Sequence, residues 1–489
     1  MRAQPVTLKA RSSSAAGMGA SSPTSIVMAS TFPCRSASST IRPTKTCSCI
    51  NLLAQRRLNE LWTSRTSLVP RVAEEADIKI DIKQTVLLSA MLIGIVGKPS
   101  CGKSTFFKAA TLAEVDIANY PFTTIKPNHA VGFVKIPDPA KAFGKTSNPR
   151  TGYVLGDWRF VPVDLIDVAG LVPGAHEGQG LGKEFLNDLN QADALIHVID
   201  ASGSVNEKGE PVPRGSYDPA RDITFLEDEL DYWYLDIMKK GWDKFVRQAV
   251  QEKRPIAAAL EKQLSGLRVS EELARKTIDA LGLDKEKPNT WDEDALLALA
   301  RGLRKASKPI MIAANKVDVE GAWDNYERLT KQFPEYHIVP CSAELELALR
   351  EAAKHGFVNY IPGEGSFTFA HAEQLTEQQQ AAMSFIKGFL ERRGSTGVQA
   401  VLNHAVFELL RYKPIFPGGV GKLEDSEGNV IPDCFLMPAD ATALDFAYRL
   451  HTDFGKNFVK AVNVKTKMPV GKDHVLEPGS IIEIMAAKR

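Results

Sequence analysis

A chain of 489 residues is too long for one hydrophobic core, so two to four domains are expected. With 44% hydrophobic and 24% charged residues it has the make-up of an ordinary globular protein, and a net charge of +1 selects neither a nucleic-acid nor an acidic partner for the chain as a whole. Runs long and apolar enough for a transmembrane helix do not occur, and six scattered cysteines exclude a disulfide framework and fit a reducing compartment.

The first 59 residues hold no Asp or Glu and are rich in Ser and Arg. Such a segment cannot build a core, and its composition is that of an organellar transit peptide or an inert extension. Residues 1–90 are therefore expected to be a disordered leader or transit peptide. Met91, just before the apolar run Leu92–Val96, is a plausible alternative start. From there, short apolar strands alternate with turns and helices: Leu92–Val96, Phe160–Ile166, Ala194–Asp200 and Pro309–Ala314, with a helix from about Lys103 to Ala113. This rhythm predicts βαβ units and a mostly parallel sheet. Residues 206–307 break it. Apolar positions recur there at three- and four-residue spacing, as in Phe225 to Phe245, Ile256–Leu267 and Ala295–Leu303, which predicts an inserted helical subdomain. Tyr232, Trp233, Tyr234 and Trp242 fit the apolar face of a helix better than a base-stacking cluster. Residues 398–489 carry short strands separated by Gly, Pro and Asp turns, and one helix at Ala443–Leu450, a compact α+β module. The α/β sheet domain is thus expected over 91–205 and 308–397.

Gly97-Lys-Pro-Ser-Cys-Gly-Lys103-Ser104 fits G-x-x-x-x-G-K-[ST] and lies between a predicted strand and a predicted helix. The glycines let backbone N–H groups face phosphates, Lys103 places a charge at the β- and γ-phosphates, and Ser104 offers a hydroxyl to Mg²⁺. The positive end of the following helix faces the same anion. Gly97, Lys98, Pro99, Ser100, Cys101, Gly102, Lys103, Ser104 and Thr105 form the expected phosphate-binding set. Asp167-Val-Ala-Gly170 ends a strand. Asp167 there can hold Mg²⁺ through water, while the Gly170 N–H can sense the γ-phosphate. The four-glycine loop that follows should respond to loss of that phosphate. Asn315-Lys316-Val317-Asp318 follows the strand Pro309–Ala314. The Asp318 carboxylate can accept from both N1–H and N2–H₂ of guanine, donors that adenine lacks, so GTP is expected and ATP remains open. Ser342-Ala343 can bring a backbone N–H to the base oxygen. Thr124, with Thr123 in reserve, can complete the Mg²⁺ shell.

These residues resemble a known family. Tyr120-Pro-Phe-Thr-Thr-Ile125 and the run from Asp167 through His176 to Gly182 are similar to the Obg-related GTPases of the translation-factor class, closest to the YchF-type (Obg-like ATPase) branch. Arg449-Leu-His-Thr-Asp-Phe454 with Phe458-Val-Lys-Ala-Val462 resembles a TGS domain, a ubiquitin-like β-grasp module. The resemblance covers about 400 residues from Met91 onward. It implies an OBG-type G domain with a helical insertion and a TGS domain. The best-known YchF-type members have a degenerate fourth motif and prefer ATP, whereas this chain keeps Asn315, Lys316 and Asp318 and so resembles the side-branch that retains the guanine motif. Leu171 stands where Ras-like enzymes have a water-positioning Gln, which implies slow turnover, and the resemblance transfers the water to His176. Lys103, Gly170 and His176 are then the expected catalytic set. Ser100 replaces the Asn that holds K⁺ in some relatives.

A slow GTPase switch with Mg²⁺ as cofactor and a ribosome or RNA as partner is the leading expectation. An ATP-preferring stress-signalling ATPase and a nucleotide-stabilised scaffold are the alternatives. Lys456, Lys460, Lys465, Lys467 and Lys472 crowd the last module and favour RNA mildly. No DNA partner is expected, and the oligomeric state is left open. The cytoplasm is the expected compartment, or a plastid or mitochondrion if residues 1–90 are a transit peptide.

Overall fold

The structure, a computed structural model, describes residues 91–112, 128–168, 189–252 and 254–487. The expectations for the 1–90 leader, for Thr123 and Thr124, and for Gly170, Leu171 and His176 lie outside the described residues.

The apolar run Leu92–Val96 is strand β1, and helix α1 (Lys103–Thr111) follows its Gly-rich turn. Strands β2 (His129–Pro137), β3 (Tyr153–Leu155), β4 (Trp158–Asp167), β5 (Ala194–Asp200), β6 (Ile310–Asn315) and β7 (Ile338–Pro340) complete a seven-stranded sheet. Its order is β2-β4-β1-β5-β6-β7, with β3 on β4. β1, β4, β5, β6 and β7 are mutually parallel, whereas β2 and β3 run antiparallel to β4. The reason is in the connections. β3 reaches β4 through a tight turn at Gly156, too short for the crossover that a parallel partner needs. β5, central in the sheet, is buried at every position.

The two faces of the sheet take different cover. Val96, Leu195 and Ile310 join a core with the inserted helices α2 (Ala220–Lys239), α3 (Trp242–Gln251), α4 (Ile256–Gln263), α5 (Glu271–Ala280) and α6 (Glu293–Ser307). Trp233 and Tyr234 are buried there, and Trp242 stacks on Trp291 with ring centroids 5.8 Å apart, so these aromatics are core; Tyr232 is exposed. Asp231 of α2, itself buried, accepts from Arg301 and Arg304 of α6 at 2.8 Å each. Residues 206–219, assigned from sequence to the helical insertion, form a loop with an isolated bridge between Val205 and Pro211, and its Gly209 lies against Pro99 of the phosphate loop.

The chain continues through α7 (Ala322–Gln332), α8 (Ala343–Lys354), the hairpin β8 (Val358–Tyr360) and β9 (Phe367–Phe369), and α9 (Glu377–Arg393), which begins with a capping box made by Thr376 and Gln379. α10 (Val398–Asn403) follows. Its residues were assigned from sequence to the C-terminal module. There Val398, Val401 and Leu402 share a core both with Ile93, Phe106 and Val134 of the sheet domain and with Phe416, Ile431 and Ile481 of the C-terminal module. The C-terminal sheet starts with β10 (Tyr412–Pro417). With β11 (Phe435–Pro438), β12 (Phe458–Asn463), β13 (Met468–Val470) and β14 (Ile481–Ala486) it has the order β11-β10-β14-β12-β13, and α11 (Ala443–Leu450) packs on it through Ala443 and Phe446. β10 and β14 alone are parallel, the β-grasp arrangement. This module is docked. The buried Arg159 of β4 donates to the Ile431 carbonyl at 2.6 Å and the Pro432 carbonyl at 2.9 Å, and Arg150 pairs with Asp425 and Asp433 at 2.6 Å each. No helix among the described residues is long and apolar enough to cross a membrane.

Candidate nucleotide site

Every nucleotide-site motif singled out from sequence within the described residues falls at the carboxyl end of a parallel strand. The phosphate loop follows β1, Asp167 ends β4, Asn315 ends β6, and Ser342 follows β7. The chain leaves β1 toward β4 on one side and β5 lies on the other, so the loop opens at the switch point where α/β sheets receive ligands.

The loop is held by its carbonyls. The Asn315 amide donates to the Cys101 carbonyl at 3.0 Å, and the Lys316 ammonium donates to the Ser100 carbonyl at 3.0 Å. With those oxygens held outward, the N–H groups between them are free to point the other way. Ser100 at φ 63° and Gly102 at φ 94° adopt the left-handed conformation that this path needs. At Gly102 a Cβ would also collide with the Asn315 amide, so only glycine fits. Gly102 is the N-cap of α1 and makes no side-chain cap, which leaves the helix's first N–H groups for an anion.

Lys103 and Asp167 form an ion pair, both partly buried. A cation for phosphate oxygens and a carboxylate for a metal thus meet at one point. Ser104, exposed at the start of α1, adds a hydroxyl. A hydroxyl and a carboxylate are hard oxygen donors, the type and sparse number that suit Mg²⁺. Among the described residues no cluster of three metal-ligating His, Cys, Asp or Glu side chains occurs. Cys101 is fully buried and burial pushes its thiol up to about 11, so it packs beneath the loop as a neutral side chain. Thr105 is half-buried in α1.

On the base side, Asp318 is half-buried and makes no hydrogen bond or ion pair with the described residues. Asn315 is buried and bridges the site, since its oxygen accepts from the Ala343 N–H at 3.0 Å while its nitrogen holds Cys101. Ser342 caps α8 by accepting from the Leu345 N–H at 3.3 Å, and its own N–H goes to the Thr396 carbonyl. The two N–H groups expected to face the base oxygen therefore have protein partners.

Lys98 corrects the expected phosphate-binding set. Its ammonium lies 3.0 Å from Asp222 Oδ1, donates to the Val205 carbonyl at 2.7 Å and sits over the Tyr217 ring at 3.8 Å. It anchors the loop instead of reaching for a phosphate. Sequence reading also missed Asp200. This fully buried carboxylate at the end of β5 accepts from Ser202, Ser204 and Lys316 and so orients the lysine of the guanine motif. An acidic residue closing an apolar strand, as at Asp167, was the available signal.

A Gly-rich turn at a helix N-terminus, with strand-end side chains converging on it, defines the class: a P-loop nucleoside-triphosphate hydrolase of the GTPase type. Three family models match in succession: "50S ribosome-binding GTPase" over residues 92–221, the "Obg-like GTPase YGR210-like, G4 motif-containing domain" over 313–419, and the TGS domain over 426–486. A GTP-binding protein of Methanocaldococcus jannaschii is 45% identical over 399 residues, covering 81% of this chain and all of the relative. The crystal structure of a GTP-binding protein from Pyrococcus horikoshii superposes with a TM-score of 0.66 at 38% identity, covering 81% of this chain and all of that one. The ribosome-binding ATPase YchF of Escherichia coli O157:H7 is 28% identical over 414 residues, covering 80% of this chain and 98% of its own. The chain belongs to the Obg-related GTPases, in the YchF-type branch that keeps the guanine motif and ends in a TGS domain.

Proposed function

We propose that this protein is a Mg²⁺-dependent GTPase that binds GTP, hydrolyses it slowly to GDP and phosphate, and uses the change as a switch at the ribosome. The observation that carries the choice of base is the guanine motif. Asn315 and Lys316 are occupied in holding the phosphate loop, while the neighbouring Asp318 carboxylate is left for the two donors of a guanine edge. Adenine would leave that carboxylate unpaired, a cost of about 1–3 kcal/mol.

Lys103 and the N–H groups of residues 100–104 take the β- and γ-phosphates. Ser104, Asp167 and Thr124 hold the metal, which when bound neutralises charge on the phosphate oxygens. Gly170 senses the γ-phosphate and His176 positions water, in place of the side chain that Leu171 lacks. Without a polar group at Leu171, intrinsic turnover is slow, as befits a switch. The ribosome as partner is supported by the name of the Escherichia coli relative, a ribosome-binding ATPase, and by the exposed Lys456, Lys460, Lys465, Lys467 and Lys472 on the TGS domain. That same name contains ATPase, so the decisive experiment is competitive titration of GTP and ATP at physiological Mg²⁺. GTP is expected to bind more tightly; tenfold tighter ATP would sink the base assignment.

A further inference from the structure

We propose that Lys98 and Asp222 form a positioning pair that ties the phosphate loop to the first helix of the inserted subdomain, so that nucleotide binding and the placement of α2 are coupled. The inference rests on the GTPase reading of the phosphate loop and adds a regulatory route to it.

Lys98 is the second residue of the loop, and Asp222 lies in the first turn of α2. The two are 124 residues apart in sequence, and both are about 95% buried. Each has further support. Lys98 also reaches the Val205 carbonyl, and the Tyr217 hydroxyl donates to Asp222 Oδ1 at 2.8 Å. His197, buried on β5 below them, is held neutral, its pKa pushed down to about 3 by burial and by the Lys98 charge. It therefore adds no second cation to compete for Asp222. The pair borders a cleft of about 270 Å³ whose walls include Phe225 and Arg221, the next turn and the same turn of α2.

The arrangement divides the loop. Its second half is pinned from the β6 side through the Ser100 and Cys101 carbonyls, and its first half from the α2 side through Lys98, with Pro99 against Gly209. The first anchor comes from the guanine motif and follows the base. The second comes from a helix that continues into Asp231 and its partners Arg301 and Arg304, the polar centre of the helical insertion. A shift of α2 therefore pulls on the loop, and an ordered loop fixes the start of α2. By reciprocity, nucleotide should order α2, and a partner that moves the helical subdomain should alter nucleotide affinity.

The test uses the full chain with Lys98→Met, Lys98→Arg, and the double variant Lys98→Met with Asp222→Leu, which replaces the buried pair by apolar groups and protects folding. GDP affinity, melting temperature and amide exchange over residues 220–226 with and without GDP are read. In the wild-type chain GDP is expected to slow exchange in that turn. Lys98→Met should weaken GDP roughly tenfold or more, the loss of a buried partner. The double variant should regain the melting temperature without regaining affinity or the GDP-dependent protection, and Lys98→Arg should keep the protection. A double variant with wild-type affinity and protection, or an Arg variant indistinguishable from Met, overturns the proposal. If Lys98→Met does not fold, the double variant decides alone. Lys103→Ala separates the two levels: if it leaves GDP affinity intact, the nucleotide-site reading has failed and not the positioning pair.

Discussion

The two ends of the parallel sheet hold charges of opposite purpose, most of them buried or half-buried. At the carboxyl ends, Lys103, Asp167, Asp200, Lys316 and Asp318 converge around one loop. At the amino ends, Lys308 before β6 donates to the Ala192 carbonyl at 2.6 Å, Arg268 of the insertion pairs with Asp193, and Asp193 accepts from the Leu92 N–H at 2.8 Å. There the charges end on backbone groups and on one another, with nothing left to offer a ligand. The same strands thus carry the candidate nucleotide site at one end and attachment of the inserted helices at the other. What distinguishes the carboxyl ends is Asp318, a half-buried carboxylate with no hydrogen bond or ion pair among the described residues.

Substitutions can break or sharpen this contrast. The largest effect is expected from Lys103→Ala at the carboxyl end, which should cut single-turnover GTP hydrolysis by on the order of 10³; an unchanged rate would remove the phosphate loop from the reaction. His176→Ala should lower the same rate by about 10² while leaving GTP affinity near wild type, as measured by pre-steady-state hydrolysis and equilibrium binding. A wild-type rate would return the water to another group. Asp318→Ala should weaken GTP by roughly 10- to 100-fold with ATP affinity little changed, because the proposed reading gives that carboxylate to the two donors of guanine alone. Equal losses for both nucleotides would show that Asp318 acts through the loop. The smallest effect on the nucleotide is expected at the amino end. Lys308→Met should leave GTP affinity within about twofold, because distant sites act independently.

Lys308 should matter for stability instead. Burial pushes its ammonium down to about 7 from the ordinary 10.5. Above pH 7 the folded chain has released a proton that the unfolded chain still holds, so stability should rise with pH from about 7 toward 10.5. Below pH 7 the full cost of a buried charge remains. Urea unfolding across that window should show the rise in the wild type and lose that part of it in Lys308→Met.

Much of the candidate site's backbone setting could be read from sequence alone, because its motifs are local. A glycine at φ 94° and the strand–turn–helix around it concern a few adjacent residues, and their backbone requirements are written in the residue types. The same holds for the guanine motif, for the apolar run of β5, and for the helical periodicity from Phe225 to Leu303, which placed Trp233 and Tyr234, though not Tyr232, on a buried face. The order of these segments also indicated the sheet domain, the helical insertion and a compact C-terminal α+β module, which the resemblance to a TGS domain identified as a β-grasp.

Tertiary structure decided what depends on distant partners. Lys98 reads as a phosphate ligand until Asp222 appears beside it, and Ser342 reads as a base contact until it is seen to cap α8. α10 packs into a core shared by the sheet domain and the module that follows it, because an apolar helix face is covered by whichever surfaces are near. β3 turned antiparallel to β4 because the turn at Gly156 that joins them is too short for a crossover. Sequence periodicity records that a side chain must be buried or paired, but the partner is set by how strands and helices far apart in the chain are brought together. That is why the phosphate loop could be located from eight consecutive residues, while what holds it in place could not.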